Sequence, residues 1–214
     1  MNIVAIDTSS KALDISFVNG EGVFLNISLL GKERTSKNLI MALKRLLEFS
    51  NLTISDIEGI VIVRGPGSFT GLKLGMTLGK IIAYFEKVPI LGVDLFEIIS
   101  FNYRYLMDNI EILIPSRKRE FYYAKYVPHD GLGEYKVIRE EEFSYILDVD
   151  SWIFAPTTET KEKLKEYGFS KIIPGWEFVS KAYMAAILGG EKIKSGQMDD
   201  PYTISPLYMR KFPF

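Results

Sequence analysis

Residues 57–86 read IEGIVIVRGPGSFTGLKLGMTLGKIIAYFE. The first nine are rich in Ile and Val and predict a short buried strand. Gly65, Pro66 and Gly67 then turn the chain. Residues 70–86 follow as a predicted helix. A strand that turns at once into a helix belongs to a parallel crossover. The flanking sequence extends the pattern. Residues 36–49 place Leu39, Ile40, Leu43, Leu46 and Leu47 on one helical face. Ser36 is the expected N-cap. Residues 88–93, VPILGV, form another apolar run, and Asp94 can cap a helix reaching about Tyr105.

Upstream lie NIVAID (2–7), LDISFVN (13–19) and GVFLNISL (22–29). In the second run Leu13, Ile15 and Phe17 fall on one side, with Asp14 and Ser16 on the other. The turn at Asn19, Gly20, Glu21 and Gly22 joins the last two as a hairpin. The first half therefore reads βββαβαβα. Three antiparallel strands followed by parallel crossovers make the mixed five-stranded sheet of a ribonuclease-H-like layout. The second half, from about residue 108, reads as a degraded copy with fewer helices. It offers strands at 110–116, 120–127, 134–143 and 151–156, a helix at 157–168 ending before Gly168, and the short strand KIIPG. A helix at 176–190 is expected to stop at Gly189 and Gly190. The expected division is 1–107 and 108–214, with the tail able to pack back on the first part.

Composition narrows the chemistry. Of 214 residues, 47% are apolar and 25% charged, which is the balance of a globular chain and not of a disordered one. The 26 basic and 27 acidic side chains leave a net charge of −1, without the basic excess of an unaided nucleic-acid binder. The dense basic run Arg117, Lys118 and Arg119 reads as a solvated turn. Cysteine is absent, which excludes disulfides and thiolate chemistry. The single histidine, His129, lies in a predicted turn and cannot build a two-histidine metal site or a Ser-His-Asp relay. The pairs Asp199-Asp200 and Glu140-Glu141-Glu142 read as solvated charge. No signal-peptide pattern opens the chain, and no apolar run approaches the ~20 residues of a membrane span. A cytoplasmic location is expected.

Two features invite a functional reading. The turn with Gly65 and Gly67 can be a phosphate cradle or simply a tight turn. It lacks the Gly-Lys-Ser/Thr of a P-loop and the GxGxxG spacing of a dinucleotide fold. Asp7 and Ser9, at the end of the first strand, can serve phosphate or bond the local backbone. Gly71, Gly75 and Gly79 recur every fourth residue and pave one helix face. Glycine inside a helix costs about 1 kcal/mol relative to alanine, so a stripe of three implies the close approach of another backbone. That neighbour can be the sheet beneath or a second helix. The helix is apolar over most of its circumference, which favours an oligomer surface.

The runs NIVAIDTSS, GPGSFTGLKLG, SRKREFYYAKY and PLYMR occur in the order seen in the TsaB (YeaZ) family, which this chain resembles over nearly its whole length. The resemblance is strongest over 1–105 and thin from about 130 to 200. It implies an α/β, actin-like ATPase (ASKHA) fold of two ribonuclease-H-like subdomains. It implies a non-catalytic scaffold role in making N6-threonylcarbamoyladenosine beside the anticodon of tRNAs reading A-starting codons. A TsaD-like catalytic subunit and a TsaE-like ATPase are the implied partners, with a homodimer in their absence. The complex uses ATP; this chain is expected to hold no cofactor or metal tightly and to meet tRNA only indirectly. The two N-terminal-domain helices would bind the partner, with Leu39, Leu43, Leu46, Leu72 and Met76 as expected contacts and Gly71, Gly75 and Gly79 setting helix spacing. On that reading Gly75→Leu blocks complex formation while the chain still folds. The alternatives are a stand-alone ATPase or phosphotransferase using Asp7, Ser9, Gly65 and Gly67, and a metal-dependent peptidase. The chain departs from the family at Thr35, where many members carry histidine, and at Pro115-Ser116, where many carry Asp-Ala. Glu120 and Tyr122 keep the family's residues.

Overall fold

The computed structural model describes residues 1–22, 24–30, 36–173 and 180–210, so Thr35 lies outside the described residues. The chain forms two compact units, Met1–Ile98 with Val179–Leu207, and Ile99–Phe178 with Tyr208–Phe214. The division therefore departs from 1–107 and 108–214. The C-terminal third is shared, because the last long helix has its packing partners on the first sheet.

In the first unit, β1 (Ile3–Asp7), β2 (Ala12–Val18), β3 (Phe24–Leu30), β4 (Gly59–Val63) and β5 (Ile90–Val93) make a sheet in the order β3-β2-β1-β4-β5. β1, β2 and β3 pair antiparallel; β1, β4 and β5 pair parallel. This is the expected βββαβαβα arrangement. β1 and β4 are central, and all five residues of each are buried. Strands covered on both faces read as continuous apolar runs, as these do.

α1 (Ser36–Phe49) and α2 (Phe69–Glu86) share one face of the sheet. Val4, Ile6, Leu13, Ile15, Phe17, Ile60 and Ile62 meet Leu39, Leu43, Leu46, Met76 and Ile82 there in one apolar cluster. α2 begins at Ser68, whose side chain accepts from the Gly71 N–H, and ends at Lys87 in the left-handed region, φ 55°. α3 (Leu95–Tyr103) opens with a reciprocal cap: Asp94 Oδ1 accepts the Glu97 N–H, and Glu97 Oε2 accepts the Asp94 N–H.

The second unit repeats the plan in reduced form. β6 (Ile110–Pro115), β7 (Glu120–Val127), β8 (Gly131–Leu132), β10 (Trp152–Phe154) and β11 (Ile172–Ile173) run in the order β11-β10-β6-β7-β8, and β9 (Lys136–Arg139) also pairs β7. β6 is antiparallel to β7 and parallel to β10, mirroring β1 with β2 and β4. The short α4 (Phe143–Ile146) and α5 (Thr158–Glu166) provide Phe143 and Leu164 to its core, with Leu113, Phe121 and Ile153 from the sheet.

α6 (Lys181–Lys194) covers the other face of the first sheet. It is capped by Ser180 and runs through Gly189 and Gly190, where an ending was expected. The reason is steric. A Cβ on Gly189 would strike the Val61 side chain. These glycines permit close packing and do not terminate the helix.

Candidate functional site

Sheet order brings the end of β1 beside the turn after β4, so Asp7, Ser9, Gly65 and Gly67 are neighbours. The turn is held from several sides. The Ser68 N–H donates to Ser9 O at 2.8 Å, Leu95 N–H to Gly65 O at 2.7 Å, and Leu207 N–H to Arg64 O at 2.7 Å. Gly65 has φ +112°, a conformation open to glycine. A Cβ on Gly67 would collide with the Ser9 carbonyl oxygen, and one on Gly71 with the Thr8 carbonyl oxygen. Thr8 Oγ1 donates to Gly71 O at 2.7 Å. Gly67 and Gly71 thus allow close approach to the backbone of Thr8 and Ser9, whose carbonyl oxygens line that side of the turn.

The glycine stripe faces the same strands. A Cβ on Gly75 would meet Thr8 Oγ1, and one on Gly79 the Ile62 side chain. Of the two neighbours the sequence allowed, the structure selects the sheet beneath. The remaining interface residues expected from sequence are core as well: Leu39, Leu43, Leu46, Leu72 and Met76 are all buried within the first unit. The helix face chosen for its apolar period is the face that meets the chain's own sheet.

The outer faces of α1 and α2 carry exposed apolar side chains, among them Ile40, which the helical period places with the buried leucines of α1. Ile40 and Met41 on α1 are exposed, as are Ile81, Tyr84 and Phe85 on α2, Phe85 at 72%. Tyr84 stacks edge-on with Phe85 and with Tyr202 of the tail. On α1, Lys44 and Arg45 pair with Glu48. Exposed apolar side chains on helices that also carry surface charge have the composition of a protein-docking surface.

Part of the sheet face beneath α6 is polar, while Val61 and Ile3 meet Gly189 and Gly190 on the same face. Asp7 and Asp14 are register partners, as are Ser16 and Asn26, and Asp14 and Ser28. Ser16 and Ser28 donate to Asn26 and Asp14. Ser180 Oγ donates to Asn26 Oδ1 at 2.7 Å. Asp7 Oδ1 accepts the Ser9 N–H at 2.8 Å, and Lys181 Nζ sits 3.1 Å from Asp7 Oδ2 and donates to Ser10 Oγ at 2.7 Å. Burial holds the Asp14 carboxyl above its ordinary value; the Ser28 hydrogen bond opposes this, Asp7 adds to it and Lys181 opposes it. Lys181 was not anticipated from sequence. The available signal was a lysine in the first turn of a helix otherwise apolar on most sides.

In the second unit the two late motifs meet: Arg210 of PLYMR pairs with Glu120 of SRKREFYYAKY. The buried Glu111 accepts from the Tyr123 hydroxyl and lies 3.1 Å from Lys125 Nζ, which also reaches Asp148 at 3.3 Å. Burial first, and then Glu111, push the Tyr123 hydroxyl far above its ordinary range. Glu140 is not solvated as expected. It is buried, and Lys163 at 2.5 Å and Arg119 at 3.4 Å lower its carboxyl below the ordinary value. Asp199 likewise has a structural task, accepting the Gly92 N–H at 2.7 Å. His129 is exposed, and among the described residues no three His, Asp or Glu side chains are placed to share a metal. No described helix is long and apolar enough to cross a membrane.

Two sheets that each put an antiparallel triplet before parallel crossovers define an α/β chain of the actin-like ATPase fold. Solved structures agree on the fold. YeaZ from Pseudomonas aeruginosa superimposes with a TM-score of 0.78 at 20% identity, over 97% of this chain and 99% of that one. The ethanolamine utilization protein EutJ from Carboxydothermus hydrogenoformans does so at 0.54 and 7% identity, over 88% and 89%. The family model described as TsaD, tRNA N6-adenosine threonylcarbamoyltransferase, matches residues 30–179. The tRNA threonylcarbamoyladenosine biosynthesis protein TsaB of Bacillus subtilis is 31% identical over 134 residues, 63% of this chain and 58% of that one. TsaB of Escherichia coli is 33% identical over 94 residues, 44% and 40% of the two chains. The chain belongs to the family that this TsaD model describes, and the curated relatives it resembles are TsaB proteins. The matched region spans less than two thirds of the length of these two curated relatives.

Proposed function

We propose that this chain is a non-catalytic scaffold subunit in the transfer of a threonylcarbamoyl group to N6 of the adenosine beside the anticodon. It docks a TsaD-like catalytic subunit through the outer faces of α1 and α2, and pairs with a second copy of itself when that subunit is absent. A TsaE-like ATPase joins the assembly. ATP is consumed by the assembly, tRNA is met through the partner, and the setting is the cytoplasm. The names of the curated relatives support the pathway. The observation that carries the docking role is the exposed set Ile40, Met41, Ile81, Tyr84 and Phe85, on two helices whose inner faces are fully used.

The contacts proposed here replace the buried leucines expected from sequence. Ile81→Glu combined with Phe85→Glu places two charges on the exposed face and leaves the core untouched. Light scattering and co-purification with the TsaD-like subunit provide the test. The wild-type chain is expected to form a pair in each case and the double variant to stay single. A double variant that co-purifies normally overturns this surface. A stand-alone ATPase is the alternative reading, and calorimetric titration with Mg-ATP checks it: turnover by the isolated chain would favour it.

A further inference from the structure

The first turn of α6 carries a local conflict. A helix N-terminus bears partial positive charge, so a cation is disfavoured there. Lys181 nonetheless occupies the first helical position, with its side chain only 11% exposed. Lysine is almost never buried to this degree without a partner. Its ammonium lies 3.1 Å from Asp7 Oδ2 and donates to Ser10 Oγ at 2.7 Å. Asp7 and Asp14 are register partners on antiparallel strands, so both carboxylates leave the sheet on the same face. Both are buried, Asp7 completely. A local preference overridden in this way marks a position chosen for the whole structure.

We propose that Lys181 is a resident cation. Asp7, Asp14 and the Ser10 hydroxyl make an oxygen-lined cation site at the end of β1, filled by the chain's own ammonium. That ammonium keeps a divalent metal, and any phosphate the metal would carry, away from Asp7. Carboxylate and hydroxyl oxygens are the ligands that hard divalent cations take. A buried ammonium among them competes by occupying the space and by repulsion in a medium of low dielectric. Without a metal, Asp7 repels phosphate. The inference holds whatever docks on α1 and α2, because Lys181 lies on the opposite face of the sheet.

Thermal unfolding of the full chain with and without millimolar Mn2+ tests it, with Mn2+ calorimetry alongside. Lys181→Met keeps most of the stem and removes the charge. Lys181→Ala removes both. The wild-type midpoint should not move with Mn2+. Lys181→Met should lower the midpoint by about 10 °C, the scale expected when one partner of a buried pair is lost. Lys181→Ala should fall at least as far and regain most of the loss with Mn2+, binding one ion per chain. Adding Asp7→Asn to Lys181→Ala should raise the metal-free midpoint and abolish the Mn2+ response. If Lys181→Ala does not fold, Lys181→Met with Asp7→Asn decides instead: recovery of the midpoint over Lys181→Met supports the proposal, and no recovery overturns it. It is also overturned if Mn2+ stabilises the wild type, if Lys181→Met keeps the wild-type midpoint, or if a folded Lys181→Ala ignores Mn2+.

Discussion

The two faces of the first sheet solve the same geometric problem with opposite chemistry. Under α1 and α2 the strands present Val4, Ile6, Leu13, Ile15, Ile60 and Ile62, and the contact is aliphatic. Under α6 the same strands β1 and β2 present Asp7, Asp14 and Ser16, and a hydrogen-bonded and charged network is added to apolar contacts such as Val61 with Gly189. Both helices nevertheless use glycine to come close, Gly75 and Gly79 on α2 and Gly189 on α6. Close approach is therefore a property of the layered fold. The charged pair of Lys181 and Asp7 belongs to the α6 face. Apolar burial is non-directional and tolerates some repacking. A buried polar network tolerates little, because each member left without its partner costs free energy.

The largest effects should come from what the faces share. Gly75→Leu drives a Cβ into Thr8 Oγ1, and Gly189→Leu drives one into Val61. Each is expected to lose about 3 kcal/mol or more, at the upper end of overpacking penalties. Urea unfolding would read both. This reverses the reading of Gly75→Leu as a folded, binding-deficient variant. If either variant keeps wild-type stability, the helix on that face is not held at glycine distance.

Smaller effects should separate the faces. Asn26→Ala removes the acceptor of Ser16 and Ser180 and is expected to cost about 1–2 kcal/mol by urea unfolding. Asp14→Asn should act in the other direction. The folded-state pKa of Asp14 is raised above its ordinary 3.8, so the folded chain holds the proton more tightly and stability falls as pH rises through that window. The amide keeps an acceptor for Ser28 and carries no charge. The variant should be at least as stable as wild type near pH 7, and its advantage should fade as pH falls toward 3.8. An advantage that grows on acidification would show that Asp14 is stabilised as a carboxylate.

The fold was legible because its signals are local. Asn-Gly turns, Ile/Val runs and a 3.6-residue period each report on adjacent residues, and β1 to α3 follow them closely. The site was less legible because period identifies an apolar face without saying what covers it. Leu46 and Leu72 fit an interface pattern for the reason that they are core. The glycine stripe had the same ambiguity, and only the position of Thr8 and Ile62 resolves it. Asp14 and Ser16 were readable as the polar side of an alternating strand. Lys181, which pairs with Asp7 beside them, stands more than 160 residues later, and no local pattern links it to these strands. Glu140 was misread for a similar reason, since Lys163 and Arg119 reach it from other elements.

The smallest change in stability should accompany the sharpest functional test of the comparison. Ile81 lies on α2 opposite the glycine stripe and is half exposed, so Ile81→Glu removes little buried surface. Surface changes of this kind stay within about 0.5 kcal/mol. Binding should respond very differently. A charge placed at the centre of an apolar contact must be desolvated without a partner, and hot-spot losses there reach ~2 kcal/mol or more, at least a tenfold loss of affinity. Self-association followed by light scattering across a dilution series reads that loss, and urea unfolding of the same sample reads the first quantity. Stability kept and association lost would assign the inner face of α2 to folding and its outer face to docking. If both fall together, Ile81 belongs to the fold, and the docking surface lies elsewhere on the unit.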